Sequence, residues 1–387
     1  MNRRDFLAMS SLAPLCVLAP ATLRAADKAP DWNRVLVLVE LQGGNDGLNT
    51  VVPYRDPQYY ALRPKLAVAR DAVLPLSDDL GFNPVLEPLM PFWKSKELAL
   101  VLGVGYPNPN RSHFRSIEIW ETASDADETL QQGWLAQLFA RTPPPADFAA
   151  HGVVLSGGSG PLAGDAAHVV LNDADQFVQQ TKRLKASSGS AGNAALEHIL
   201  RVQQETSRAA VTLQQRLNAL PPLETSFPTG ALGHQLETAA RLIAARVPVV
   251  AIKVAHGSFD THVNQRGTHD RLLGELAAAL AAFRAALVKR NRWNDVLVLS
   301  YSEFGRRAGE NGSAGTDHGT AAAHFVLGGR VRGGFYGQQP SLTQLTDGDL
   351  VHRVDFRSVY ATATERFLGV KSDFTGKTRY PPLQFVA

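Results

Sequence analysis

The chain has a single cysteine, Cys16, and it lies within the first 26 of its 387 residues. Once that segment is removed, no disulfide, thiol nucleophile or thiolate metal site can form. Charge of one sign is also scarce. The 39 basic residues nearly balance the 36 acidic ones, and Arg3, Arg4 and Arg24 crowd the N-terminus against Asp5 alone, so the remainder is close to neutral. A nucleic-acid partner would need a basic excess that is absent. The apolar run at the N-terminus is shorter than the ~18–20 residues that span a bilayer and is broken by Pro14 and Pro20, so no stable membrane anchor is expected. A phosphate loop is missing too. The glycine-rich stretch GGSGPLAG ends at Gly164 and is followed by Asp165 and Ala166, where nucleotide binding needs Lys-Ser or Lys-Thr.

What is present begins with MNRRDFLAMSSLAPLCVLAPATLRAA. Paired arginines at Arg3 and Arg4, then Phe6 and Leu7, an apolar run and a small-residue end near Ala26 resemble a twin-arginine export signal. Residues 1–26 are therefore expected to be cleaved, with the twin-arginine machinery as a transient partner and the periplasm or exterior as destination. Leu15 is too bulky to precede a lipoprotein cleavage at Cys16. Residues 27–387 are expected to form one α/β domain.

Val35 to Leu41 is aliphatic at every position but Glu40, as a strand covered on both faces requires. Gly43, Gly44 and Gly47 then release the backbone into a polar loop carrying Asn45, Asp46 and Asn49. LALVLGVG from Leu98 repeats the pattern and leads through YPNPNRS into HFRSIEIWETA, which has helical apolar spacing. GVVLS, VVAIKVAH and DVLVLSYS read as further strands, with helices over Leu232–Arg246 and about His269–Arg290. The alternation predicts a doubly wound, mainly parallel sheet sandwiched by helices. An Ala/Gln/Arg-rich helical pattern over Ala194–Leu220 suggests a helical subdomain inserted at roughly 175–230. Pro53–Pro64 reads as a surface loop, with Tyr54, Tyr59 and Tyr60 near the site.

Open α/β sheets bind ligands at the carboxyl ends of their strands, and four such ends carry ligand-type residues. Asp46 follows the first strand, and Asp260 and His262 follow VVAIKVA. In an extended segment residues two apart share a face, so that pair can meet one ion. Glu303 follows DVLVLSY, and Asp317 and His318 sit in a glycine-rich loop before another short strand. A mixed carboxylate and imidazole set suits zinc or manganese, and carboxylate-rich subsets suit magnesium or calcium.

LQGGNDGLN, HFRSIEIWETA, FDTHVNQ, SEFGRR and GTDHGTA, in this order behind a twin-arginine signal, resemble the bacterial family called domain of unknown function 1501. That family is similar in turn to the alkaline phosphatase and sulfatase superfamily. The resemblance covers the whole mature chain and implies an alkaline phosphatase-like fold with a divalent metal at the strand ends. It implies ligands at Asp46, Asp260, His262, Glu303 and His318, and a nucleophile in the loop Asn110–Ser116, where Ser112 and His113 both remain open. Arg111, Arg115, Arg306 and Arg307 are candidate anion clamps. Phe304 stands where the superfamily has a histidine, and no formylglycine motif is present. The expected function is an exported, metal-dependent hydrolase of phosphate or sulfate esters acting on a small anionic ester. The alternative is a non-catalytic exported protein that keeps the fold to bind an unknown ligand.

Overall fold

The computed structural model describes residues 29–171, 193–374 and 380–387. The expected signal peptide, and the part of the suggested insertion before residue 193, lie outside the described residues. Every element of the fold lies in the compact unit Asp31–Ala387.

Nine strands form the central sheet: β1 (Val35–Gln42), β2 (Leu98–Gly105), β3 (Gly152–Val154), β4 (His168–Val170), β5 (Ala251–Gly257), β6 (Val296–Tyr301), β7 (Ala322–Leu327), β8 (Gly334–Gly337) and β9 (Val354–Asp355). Their spatial order is β8-β2-β7-β6-β1-β5-β3-β4, and β9 also pairs with β2. β1 runs parallel to both of its neighbours, with Glu40 opposite Ala255 on β5 and opposite Tyr301 on β6. Only β7 is reversed, pairing antiparallel to β6 and β2. The sheet is therefore mainly parallel and α/β, as its alternating sequence pattern requires.

Alternation along β1 explains the layering. Val35, Val37, Val39 and Leu41 join one buried cluster, while Leu36 and Leu38 join another on the opposite face. Helices α3 (Ala194–Asn218), α4 (Ala231–Ala244) and α5 (Gln265–Lys289) contribute Leu213, Leu236, Leu276 and Phe283 to the first cluster. Helices α1 (His113–Thr122), α2 (Trp134–Arg141) and α6 (Phe356–Ala361) supply Trp120, Trp134 and Phe356 to the second. Because both faces are covered, β1, β2 and β6 read as nearly continuous apolar runs. Functional side chains are left to the strand ends.

Two local expectations change. Pro57–Leu62 is a short helix, with Asp56 accepting from Gln58 N at its N-cap and Pro57 in the first turn. The Asp-Pro pair is a helix-start signal that outweighs the missing apolar period. Its Tyr59 is buried away from solvent and donates to Asn49 Oδ1 at 2.8 Å.

Asp46 caps the one-turn helix Gly47–Thr50, its Oδ1 accepting from Leu48 N and Asn49 N. Its Oδ2 accepts from Arg63 at 2.6 Å and from Gln265. Arg63, fully buried, also donates to Asn49 Oδ1, Ala308 O and Arg307 O. Burial opposes the charge on Asp46, but the neighbouring Arg63 and His269 and the two side-chain donors win, holding its carboxyl below the usual range. Both oxygens are engaged inside the protein, so Asp46 serves here as a clamp beneath the first loop.

Removing one partner of a buried pair strands the other charge, at a typical cost of ~3–5 kcal/mol. Arg63→Met is expected to lose about that much in urea denaturation, and Arg63→Met with Asp46→Asn distinctly less. Equal losses in the single and double variants would contradict the clamp.

Candidate metal centre at the strand ends

Five segments converge above the sheet. The loops after β1, β2, β5 and β6 leave the carboxyl ends of parallel strands, and the segment before the reversed β7 enters from the same edge. They bring together His113, Asp260, His262, Glu303, Asp317 and His318, residues as far as 205 positions apart in the sequence.

Arg306 is the post on which this assembly hangs. It is 1% exposed, and its guanidinium donates to Gly44 O and Thr316 O at 2.8 Å, to Phe259 O at 3.1 Å and to Gly43 O. A further bond reaches Asp260 Oδ1 at 2.7 Å. One side chain thus ties the β1 loop to the β5 loop and to the segment before β7. Its donors point inward, so it serves the protein and not an external anion. Partial burial raises the Asp260 carboxyl, but the Arg306 bond and charge, with His318 and His262, pull it down to about 2.

Each histidine is oriented through its Nδ1. His318 Nδ1 lies 2.8 Å from Arg111 O; a carbonyl only accepts, so this Nδ1 carries a proton, and in the neutral ring Nε2 is the acceptor. His113 Nδ1 lies 2.8 Å from Glu303 Oε1, which also accepts from Gly43 N. His262 Nδ1 faces Asp317 Oδ1 at 3.3 Å, and Asn311 steadies that carboxylate from 3.1 Å. An Asn311 bond and the His262 contact keep the Asp317 carboxyl low.

The three Nε2 atoms then meet one carboxylate. His262 Nε2 is 2.9 Å and His318 Nε2 3.1 Å from Asp260 Oδ1, and His113 Nε2 is 3.4 Å from Oδ2. His262 Nε2 and His318 Nε2 are only 3.0 Å apart. Ligand atoms of a tetrahedral ion with bonds of about 2.0–2.1 Å stand about 3.3 Å from one another. Donor atoms of His113, Asp260 and His318 all lie within 4.8 Å of one another, and His262 stands beside that group, against Asp260 and His318. Phe304 forms its floor, stacked on His318 at 4.4 Å between centroids and tilted under His113 at 4.9 Å.

The remaining expected residues have other surroundings. Glu303 and Asp317 face histidine Nδ1 atoms, as groups that orient ligands do. Ser112 is exposed at the N-cap of α1 and its hydroxyl makes no capping bond. Arg111 Nη2 pairs with Asp349 Oδ2 at 2.6 Å, and Arg307 Nε lies 3.8 Å from Asp349 Oδ1. Arg115 turns along α1 to Glu118 and the carbonyls of Asp125, Ala126 and Glu128. The sequence left Ser112 and His113 both open as nucleophile; the position of His113 against Glu303 and Asp260 is the addition the fold makes. Its signal, a histidine opening a helix after a strand, was visible, but its partner 190 residues away was not.

A family model described as a protein of unknown function (DUF1501) matches residues 81–368. The chain belongs to that family. Among solved structures it is similar to the lipoteichoic acid synthase LtaP of Listeria monocytogenes, with 10% identity over 90% of this chain and 77% of that one, TM-score 0.40. A protein of the alkaline phosphatase superfamily from Vibrio parahaemolyticus gives 11% identity, 79% and 62% coverage, and TM-score 0.34. The zinc complex of the C-terminal periplasmic domain of EcEptC from Escherichia coli gives 9%, 77% and 74%, and 0.34. No curated protein matches the family member described here. What its centre can do follows from its own atoms.

Replacing Arg306 by leucine is expected to release the Asp260 carboxyl from about 2 toward its unperturbed value of about 3.9. With Arg306 present, the depressed folded-state value means that ionised Asp260 stabilises the fold above about pH 4 and that this contribution fades as pH falls toward 2. Stability of the metal-free protein measured between pH 2 and 5 should therefore lose that part of its acid slope in Arg306→Leu. An unchanged slope would separate Arg306 from Asp260.

Proposed function

We propose that the chain is an exported hydrolase of phosphate or sulfate esters whose centre is one divalent ion held by His113, Asp260, His262 and His318. The observation that carries this reading is the meeting of acceptors. His262 Nε2 and His318 Nε2 face each other at 3.0 Å and share Asp260 Oδ1, while the acceptor at each Nδ1 makes Nε2 the ligating nitrogen of the neutral ring. Two imidazole nitrogens and a carboxylate oxygen at that distance need a proton or a cation among them, and one divalent ion would meet all three. The donor set fits the ion on chemical grounds. Three imidazoles and one carboxylate favour zinc, or manganese next, over magnesium and calcium, which prefer all-oxygen shells.

The ion would supply Lewis acidity toward a phosphoryl or sulfuryl oxygen. The protein's own groups supply the rest. Glu303, Asp317 and the Arg111 carbonyl fix the imidazole rings, and Phe304 seals the floor against water. The ten-residue helix α1 points its first-turn N–H groups toward an anion held at His113. Ser112, free of a capping bond, is the proposed nucleophile, and His113 moves from that role to ligand. Arg111 and Arg307, each roughly two-fifths exposed beside Asp349, are the candidate contacts for the ester's outer oxygens.

Mature protein reconstituted with zinc and dialysed is expected to retain about one ion per chain and to hydrolyse p-nitrophenyl phosphate or sulfate. His318→Ala should lose ion and turnover together, with a lower melting temperature in the presence of zinc, because a bound ion stabilises only the folded state. Ser112→Ala should keep the ion and lose turnover. No retained ion in the native protein would remove the centre and leave the non-catalytic binding reading in front. No helix among the described residues is long and apolar enough to cross a membrane, and export is proposed from the leader alone. Lysine at both Arg3 and Arg4 should hold the protein in the cytoplasm; delivery of that variant to the periplasm would refute the twin-arginine route.

A further inference from the structure

A second arrangement of chemical groups lies beside β3 and β4, in the glycine-rich stretch that fails as a phosphate loop. Ser159 follows β3, and His168 begins β4. Ser159 Oγ is 2.7 Å from His168 Nε2. His168 Nδ1 lies 2.8 Å from Ala166 O, and a carbonyl only accepts, so Nδ1 holds the proton. Nε2 therefore presents a lone pair, and the Ser159 hydroxyl donates to it. This is the pairing in which an imidazole activates a serine, with the base itself held in one tautomer by a third group.

The surrounding loop is fixed and open. Lys253, buried against Glu40 at 2.6 Å, donates to Gly158 O at 3.1 Å and pins the loop from below. Gly157 and Gly160 have positive φ, and a Cβ on Gly160 would strike Glu121 Oε1 at 2.3 Å, so this chain path requires glycine. A Cβ on Gly158 would meet nothing within 4 Å. The side of the loop next to Ser159 is thus clear for an approaching group. The amides of Gly158, Ser159 and Gly160 make no backbone hydrogen bond outside regular elements among the described residues. Such amides suit a single developing oxyanion. A phosphate dianion would need cations, and the nearby Lys253 is already paired.

We infer that Ser159 and His168 form a second nucleophilic site, independent of the metal centre, that takes small carboxylic esters. Ser159 Oγ attacks the acyl carbon while its proton passes to His168 Nε2. The ester C–O bond then breaks, and the departing alcohol takes that proton. Water, deprotonated by the same nitrogen, hydrolyses the acyl-serine and restores both groups. No oxidation or reduction occurs.

The test uses zinc-loaded mature protein and a fluorophosphonate probe, which loses fluoride as the serine oxygen bonds to phosphorus. Mass spectrometry should place the adduct on Ser159. Ser159→Ala should abolish it, His168→Ala should slow it at least tenfold, and His318→Ala, which empties the metal centre, should leave the rate unchanged. Ser159→Ala should retain zinc and any phosphate ester hydrolysis, which shows that it folds and separates this inference from the metal reading. An adduct on Ser112, no adduct at all, or a rate indifferent to His168 would overturn the proposal and leave the pair as a hydrogen bond that pins the loop to β4.

Discussion

A buried guanidinium must satisfy its donors, and Arg306 does so only where three separate chain segments arrive together. Gly43 and Gly44 bring carbonyls from the β1 loop, Phe259 and Asp260 come from the β5 loop, and Thr316 comes from the segment before β7. The close approach is possible because Gly44 has no side chain; a Cβ there would meet the Phe304 ring at 2.5 Å and Arg306 Nε at 3.2 Å. A hydrogen bond to a charged group contributes about 1.5–3 kcal/mol, so this one residue weighs heavily on the geometry of the whole edge. Asp260 is positioned by that constraint, and the imidazoles are positioned around Asp260.

A second regularity lies one layer further out. Each of the three histidines at the centre, and His168 as well, has an acceptor against Nδ1 that directs Nε2 to the working side. Glu303, Asp317 and two backbone carbonyls are interchangeable in this respect because each only accepts. Residues that look like ligands in the sequence can therefore orient imidazole rings instead, as Glu303 and Asp317 do against His113 and His262.

Much of the architecture was legible in the sequence. β1, β2, β5 and β6 announce themselves as apolar runs because both faces of the sheet are covered, and α1 and α5 are visible by helical spacing, although α5 begins at Gln265, ahead of the expected His269. The reversed direction of β7 was not legible, since its apolar run has no direction. At the site, Asp260 and His262, expected to share a face, stand 2.9 Å apart. The fate of Asp46 was hidden: its partners Arg63 and Gln265 lie 17 and 219 residues away, and no local pattern separates a carboxylate that caps and clamps from one that ligates. Arg306 was hidden for the same reason, an arginine in a polar loop reading equally well as an anion clamp or as an internal tie.

The central claim, that three imidazoles and one carboxylate enclose a single cation, is met most directly by X-ray absorption at the zinc edge of the reconstituted mature protein. The account predicts about three imidazole nitrogens with their outer-ring scattering, at about 2.0–2.1 Å, and at least one oxygen at a similar distance. His113→Ala should reduce the imidazole count by one. A shell of oxygens alone, or an imidazole count that ignores His113, would contradict it.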